Sequence, residues 1–290
     1  MLAANPFVFV EDGQERLRLI RDENELGLVF NTNHHDPSQR GQRMLAKAPF
    51  SPWIRRFHPA PEARNRLVFF PHAGSSASFF FPASRMLAPS VDVLVVQYPG
   101  RQDRRRETCV DDMDLLSELV AAELLPWADR PLGLFGHSLG ATLAFEVARR
   151  LEHERVQLLG VFASGRRAPA DQREEAMHLL DDDTLIKAMK LLAGNELEIP
   201  DDDELLRSTL SAVRSDYKAV ETYRYRPGPL LSSPIVAMTG DNDPKVTPRE
   251  AEAWAQYTTG TFELRVFEGA HFYLVRRMEQ VNEVLRRTFS

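Results

Sequence analysis

Two kinds of apolar pattern take turns along this chain. Short apolar runs, several of them closed by proline or glycine, alternate with stretches whose apolar residues recur every three or four positions. The runs "RLVFFP" from Arg66, "VDVLVVQYPG" from Val91, "PLGLFG" from Pro131, "VQLLGVFAS" from Val156, "PIVAMTG" from Pro234 and "TFELRVF" from Thr261 read as strands. Between them, Phe80 to Leu87, "DMDLLSELVAAELLPW", "ATLAFEVARRLE" and "PREAEAWAQYT" have helical period. In the second of these helices Leu115, Leu116, Leu119 and Val120 are expected on one side. Strands and amphipathic helices in alternation predict βαβ units, an α/β fold with a mainly parallel central sheet flanked by helices.

Two regions break the alternation. In residues 1–50, "FVFVEDGQERLRLI" predicts a hairpin turning at Asp12-Gly13, and the breaker-rich "NTNHHDPSQRGQR" predicts a linker. This part reads as an N-terminal extension, with the main domain over residues 51–290. From about Ala168 to Arg226 helical patterns follow one another with no strand between, as a lid inserted into an α/β domain would. The runs Asp181–Asp183 and Asp201–Asp203 open these helices and suit the positive end of the helix dipole better than a metal.

The composition narrows the setting. Of 290 residues, 43% are hydrophobic and 27% charged, enough for a sizeable core. A net charge of -6 gives no general electrostatic case for nucleic acid or an anionic membrane as partner. The single cysteine, Cys109, excludes an internal disulfide and fits a reducing compartment. The N-terminus lacks the basic and apolar segments of a secretory signal. No apolar run approaches the roughly 18 residues of a membrane span. A cytoplasmic chain is therefore expected.

The strongest chemical signal is "PLGLFGHSLGATLAFEV". Ser138 could be a plain helix N-cap, a phosphopantetheine attachment serine of the "G-H/D-S-L" kind, or the nucleophile of a G-x-S-x-G elbow. Carrier domains are small helical bundles, whereas a buried strand leads directly into Ser138. The elbow needs small residues two positions either side of the serine, and Gly136 and Gly140 supply them. Ser138 is taken as the nucleophile. The backbone N–H of Leu139, opening the next helix, then faces a developing oxyanion.

A serine hydroxyl needs a base near neutral pH. Among eight histidines, His271 in "RVFEGAHFYL" follows the last strand and fits the order serine, acid, histidine. His72 and His137 come too early for that slot, and are expected to shape the loop opposite the serine and to pack at the elbow. His34, His35 and Asp36 read as solvated loop residues, and no metal is expected. The acid should follow "PIVAMTG", where Asp241 and Asp243 compete. Asp243 is favoured as the partner that orients the imidazole, with Asp241 a turn former. The second oxyanion donor is expected in the loop after "RLVFFP", at the N–H of Ala73.

Taken together, "FPHAGSSASFF", "QYPGRQDRR", "GHSLGATLAFEVARRL", "YRYRPG", "GDNDPKVT" and "FEGAHFYL" resemble the type II, stand-alone thioesterases of polyketide and nonribosomal peptide synthesis. The resemblance runs from about Ser51 to Ser290. It implies an α/β-hydrolase with a helical lid, acting without cofactor on acyl groups held by the phosphopantetheine arm of an acyl carrier protein or peptidyl carrier domain. It implies a Ser138, Asp243 and His271 triad with Ala73 and Leu139 as oxyanion donors, and an editing role on stalled or misloaded synthases. The chain departs from the family at Ser75, where a second glycine is common, and in its first 43 residues, which have no counterpart there.

Carrier proteins are usually acidic, so the loop holding Arg101, Arg104, Arg105 and Arg106 is either a docking site or a solvated charged loop. A general carboxylesterase or medium-chain acyl thioesterase of the same fold would share the triad, and a silent carrier-binding subunit would not need it.

Overall fold

The computed structural model describes residues 7–12, 16–21 and 51–289, apart from 172, 198 and 200–202. Strands β1 (Phe7–Asp12) and β2 (Arg16–Arg21) pair antiparallel, with Asp12 opposite Arg16, so the expected hairpin is present. Its turn, and the linker with His34, His35 and Asp36, lie outside the described residues.

The main body begins with the two-residue strand β3 (Ile54–Arg55), then runs β4 (Arg66–Phe70), α1 (Phe81–Leu87), β5 (Asp92–Val96) and α2 (Met113–Leu124). It continues with β6 (Leu132–His137), α3 (Leu139–His153) and β7 (Leu158–Ser164). After a helical excursion, α4 (Asp182–Ala193) and α5 (Asp203–Thr222), the chain returns to β8 (Ile235–Gly240) and α6 (Pro248–Glu252). It ends with β9 (Phe262–Phe267), α7 (Tyr273–Arg276) and α8 (Met278–Phe289).

Seven strands form one sheet in the order β3-β5-β4-β6-β7-β8-β9. All neighbours are parallel except β3, which pairs antiparallel at the edge. Successive side chains of a strand face opposite sides of the sheet, and both sides are covered here. Val68 and Phe70 of β4 join α2, α3 and α6 in one core, while Leu67 and Phe69 join α1, α7 and α8 in the other. That double burial is why the inner strands read as mainly apolar runs, whereas the edge strand β9 keeps Glu263 and Arg265 among its apolar residues. Helix α2 corrects one expectation: Leu116 and Val120 are buried, but Leu115 is 48% exposed, because the inward stripe runs through Met113, Leu116, Val120 and Leu124. The amphipathic α8, which buries Val281 and Leu285, was not anticipated.

The excursion between β7 and β8 has its own small core of Leu185, Ile186, Leu206, Leu210 and Val213. The acidic run before α4 behaves as expected, with the Asp181 side chain accepting from Thr184 N–H as the N-cap. Among the described residues no helix is long and apolar enough to cross a membrane.

The chain leaves β4 for β5 on one side and then returns to place β6 on the other. At such a reversal, the loops after β4 and β6 diverge and leave a crevice at the carboxyl ends of the strands. Ala73 follows the first of these strands, and Ser138 directly follows the second.

Candidate active site

Ser138 sits between the last residue of β6 and the first of α3, with φ 55° and ψ -118°. A non-glycine residue at positive φ is strained, and the turn is held by what surrounds it. A Cβ on Gly136 would overlap the carbonyl of Gly140, and one on Gly140 would overlap the carbonyl of Phe70 at the end of β4. The Ser138 N–H donates to the Ser164 carbonyl at 2.8 Å, and its own carbonyl accepts from Ala141 N–H at 3.0 Å. The hydroxyl is thus carried at the sheet's carboxyl edge, on the amino end of a 15-residue helix.

Asp243 and His271 meet across the loops after β8 and β9. His271 Nδ1 lies 3.0 and 2.9 Å from the two oxygens of Asp243, and both residues are buried. Asp243 is held by its own turn, accepting the Lys245 N–H at 2.8 Å. Asp241 is the turn former: its Oδ1 accepts the Gly269 N–H at 2.9 Å, linking the acid loop to the histidine loop. Gly240 permits this contact, since a Cβ there would overlap the Gly269 and Ala270 carbonyls.

His137, directly before the serine, is wholly buried with its ring centroid 5.0 Å from that of His271. Its Nδ1 shares a hydrogen bond with Ser164 Oγ at 2.9 Å, and Ser164 shares another with Tyr273 Oη at 2.7 Å. His72 stands edge-on to Phe79 and Phe272. Burial, reinforced by His271 and Arg101, lowers His72 from 6.5 to about 3. Burial with His271 and His72 nearby likewise holds His137 well below the usual histidine range. Both are therefore neutral packing groups, and His271 is the histidine of this cluster that carries a carboxylate partner.

The loop after β4 is braced on both sides of Ala73. Tyr98 Oη donates to the Pro71 carbonyl at 3.0 Å, and the Ser75 N–H donates to the His72 carbonyl at 3.0 Å. Gly74, at φ 77°, donates its N–H to Asp216 Oδ2 at 2.8 Å. The Gly74 and Ser75 N–H groups are thus committed, whereas those of Ala73 and Leu139 have no hydrogen-bond partner among the described residues. Ser75 is buried with its hydroxyl donating to the Ser76 carbonyl, so it stabilises the loop from within.

A nucleophile elbow, a carboxylate-bound imidazole and two spare N–H groups at one sheet edge are the parts of an acyl-transfer site. The model of the thioesterase domain matches residues 65–289. The chain belongs to the thioesterase family. It is 50% identical over 224 residues to Thioesterase PikA5 of Streptomyces venezuelae, covering 77% of this chain and 80% of that protein. It is 49% identical over 230 residues to the probable cadicidin biosynthesis thioesterase of Streptomyces griseus, covering 79% of this chain but only 64% of that protein's length. Among solved structures it resembles the type II thioesterase BorB from the borrelidin biosynthetic cluster, with a TM-score of 0.79 and 47% identity over 82% of this chain and 98% of that one. The fold is that of the α/β-hydrolase thioesterases, and the chemistry of this thioesterase is hydrolysis of thioesters.

The arginine loop of this thioesterase divides in two. Arg101 is buried, pairs with Asp216 at 2.8 Å and lies 5.1 Å over the Tyr98 ring. Arg104 is buried over Trp53 at 4.2 Å, donating to the Gln97 carbonyl and to both oxygens of Glu107. Neither can meet a partner protein, because internal acceptors and aromatic faces hold both. Arg105 and Arg106 are exposed. Sequence reasoning also passed over Glu196 and Asp216, two carboxylates of the α4–α5 excursion that contact the loops of the site. A surface cavity of about 690 Å³ near Arg149, Arg150, Tyr223 and Leu230 contains none of the residues discussed for catalysis.

Proposed function

We propose that this thioesterase hydrolyses acyl groups from the phosphopantetheine arm of carrier proteins, clearing stalled or misloaded chains from a polyketide or nonribosomal peptide synthase in the cytoplasm. The observation that carries the reading is the buried Asp243–His271 pair, 2.9 Å at its shorter contact, at the sheet edge that ends in the Ser138 elbow. High identity to the probable cadicidin biosynthesis thioesterase, to Thioesterase PikA5 and to the type II thioesterase BorB of the borrelidin biosynthetic cluster supports the carrier as substrate.

In the proposed cycle His271 takes the Ser138 proton as Oγ bonds to the thioester carbon. The Ala73 and Leu139 N–H groups hold the tetrahedral oxyanion. The C–S bond then breaks, and the pantetheine thiolate leaves with the proton from His271. Water, deprotonated by the same imidazole, attacks the acyl-serine, and collapse returns the proton to Oγ with release of the carboxylic acid. Asp243 keeps the imidazole in the working tautomer and stabilises its cationic form. The thioester is already activated, and no step calls on a cofactor or metal. Residues 51–290 form the catalytic domain, with residues 1–50 an extension. The helices within about 168–226 serve as a lid bounding the acyl pocket. Arg105 and Arg106 are the remaining candidates for carrier docking.

Intact-protein mass spectrometry of an acyl-phosphopantetheinyl carrier tests the proposal. The acyl mass should disappear with wild-type protein and persist with Ser138→Ala. Persistence with both, alongside cleavage of simple oxygen esters, would assign the protein to general esterases instead.

A further inference from the structure

The α4–α5 excursion reaches the two loops on which the proposed chemistry depends, and it does so with carboxylates. Glu196, just beyond α4, straddles His271. The Ala270 N–H donates to Oε1 at 2.7 Å, and the Phe272 N–H donates to Oε2 at 2.9 Å. Beside it, Arg276 donates to the Asn195 carbonyl at 2.7 Å. The approach is close: a Cβ on Gly269 would stand 2.6 Å from Glu196 Oε1. Both backbone neighbours of the base are therefore fixed by one side chain that belongs to neither β8 nor β9.

Asp216 of α5 does the same for the loop after β4. It is 2% exposed, with one oxygen accepting the Gly74 N–H and the other the Arg101 guanidinium, each at 2.8 Å. Val213, one turn earlier, sits 2.7 Å from where a Gly74 Cβ would be. Burial pushes the Asp216 carboxyl up, and Arg101 opposes that shift. A buried carboxylate needs such a partner, so the Arg101 pair keeps Asp216 available as an acceptor.

We propose that Glu196 and Asp216 are positioning residues for hydrolysis, Glu196 holding the His271 loop and Asp216 holding the loop that presents the Ala73 N–H. The inference rests on the Ser138–His271 reading of the site. Its consequence is that the helical excursion is part of the catalytic apparatus. Its seated helices hold the His271 loop and the Ala73 loop at the same time.

Two measurements on the full chain test this: kcat and KM on an acyl-carrier substrate, and the rate at which a fluorophosphonate labels Ser138. Glu196→Gln keeps one acceptor oxygen and Glu196→Ala keeps none. The expected result is a graded loss, with Ala at least about tenfold down in kcat and labelling rate, Gln between Ala and wild type, and KM within about twofold. For Asp216, Arg101→Met is placed in both variants so that no buried guanidinium is left unpaired. Arg101→Met with Asp216→Asn keeps an acceptor for Gly74 and should stay within about threefold of wild type. Arg101→Met with Asp216→Ala should lose about tenfold or more in kcat and labelling at nearly constant KM. Equal rates within both pairs, in proteins that melt as the wild type does, would overturn the positioning role alone. Failure of the fluorophosphonate to label Ser138 in the wild type would overturn the underlying reading, and this inference with it.

Discussion

Gly140, in the first turn of α3, faces the Phe70 carbonyl at the end of β4 with no room for a side chain between them. The contact joins the helix that follows Ser138 to the strand that leads into the Ala73 loop. Any methyl group here must push the two apart. Gly140→Ala is therefore expected to lower kcat/KM at least tenfold and to cost about 1–3 kcal/mol of stability, as overpacking of a tight core does. Urea unfolding and steady-state kinetics check both, and a variant equal to wild type in each would show that the elbow has slack.

The two aspartates after β8 separate by what they touch. Asp243 meets His271 Nδ1, whereas Asp241 meets the Gly269 N–H and the Asn242 side chain. Asp243→Asn would favour the wrong imidazole tautomer and remove the charge that stabilises the imidazolium. A loss on the order of 10³-fold in kcat is expected. Asp241→Asn keeps an oxygen for Gly269 and should stay within about threefold by the same measurement. Reversed magnitudes would transfer the catalytic role to Asp241.

How far the sequence could be read followed from burial. Strands covered on both faces leave unbroken apolar runs, and glycines at Gly136 and Gly140 mark a turn that tolerates nothing larger. Both are local signals. The arginine loop shows where such signals stop: "GRQDRRR" is one basic run, yet Arg101 and Arg104 are buried while Arg105 and Arg106 are exposed. The difference lies chiefly in Trp53 and Asp216, residues distant along the chain. Asp216 left a faint trace as a charge in the apolar stripe of Leu210, Val213 and Val220 on α5. Glu196 left none, because its function comes from the β9–α7 loop folding onto it.

Carrier docking now rests on Arg105 and Arg106 alone. Rim charges of this kind act on encounter more than on the chemical step, and salt screens them. Arg105→Ala/Arg106→Ala should raise KM for acyl-carrier about three- to tenfold, with kcat unchanged. Its hydrolysis of a small soluble thioester should match the wild type. Unchanged KM at low ionic strength would remove this loop from the interface.

The neutral histidines beneath the elbow make stability depend on pH in a defined direction. His72 has its pKa lowered from 6.5 to about 3, first by burial and then by the neighbouring His271 and Arg101. Between those values the unfolded chain takes up a proton that the folded chain refuses, so the stabilisation is complete above pH 6.5 and is lost as the pH falls toward 3. The slope is about 1.4 kcal/mol per pH unit for each such group. His137, also lowered mainly by burial, adds to the same slope. Carboxylates titrate in this range too, so the comparison must be with a variant lacking one histidine. His72→Phe retains a ring against Phe79 and Phe272 and removes the titrating group. Urea unfolding at pH 7.5 and 5.5 should show the wild type losing about 1 kcal/mol more than the variant on acidification, whatever the variant's stability at pH 7.5. Equal losses would mean that His72 takes up its proton in the folded protein, and that burial does not hold it neutral.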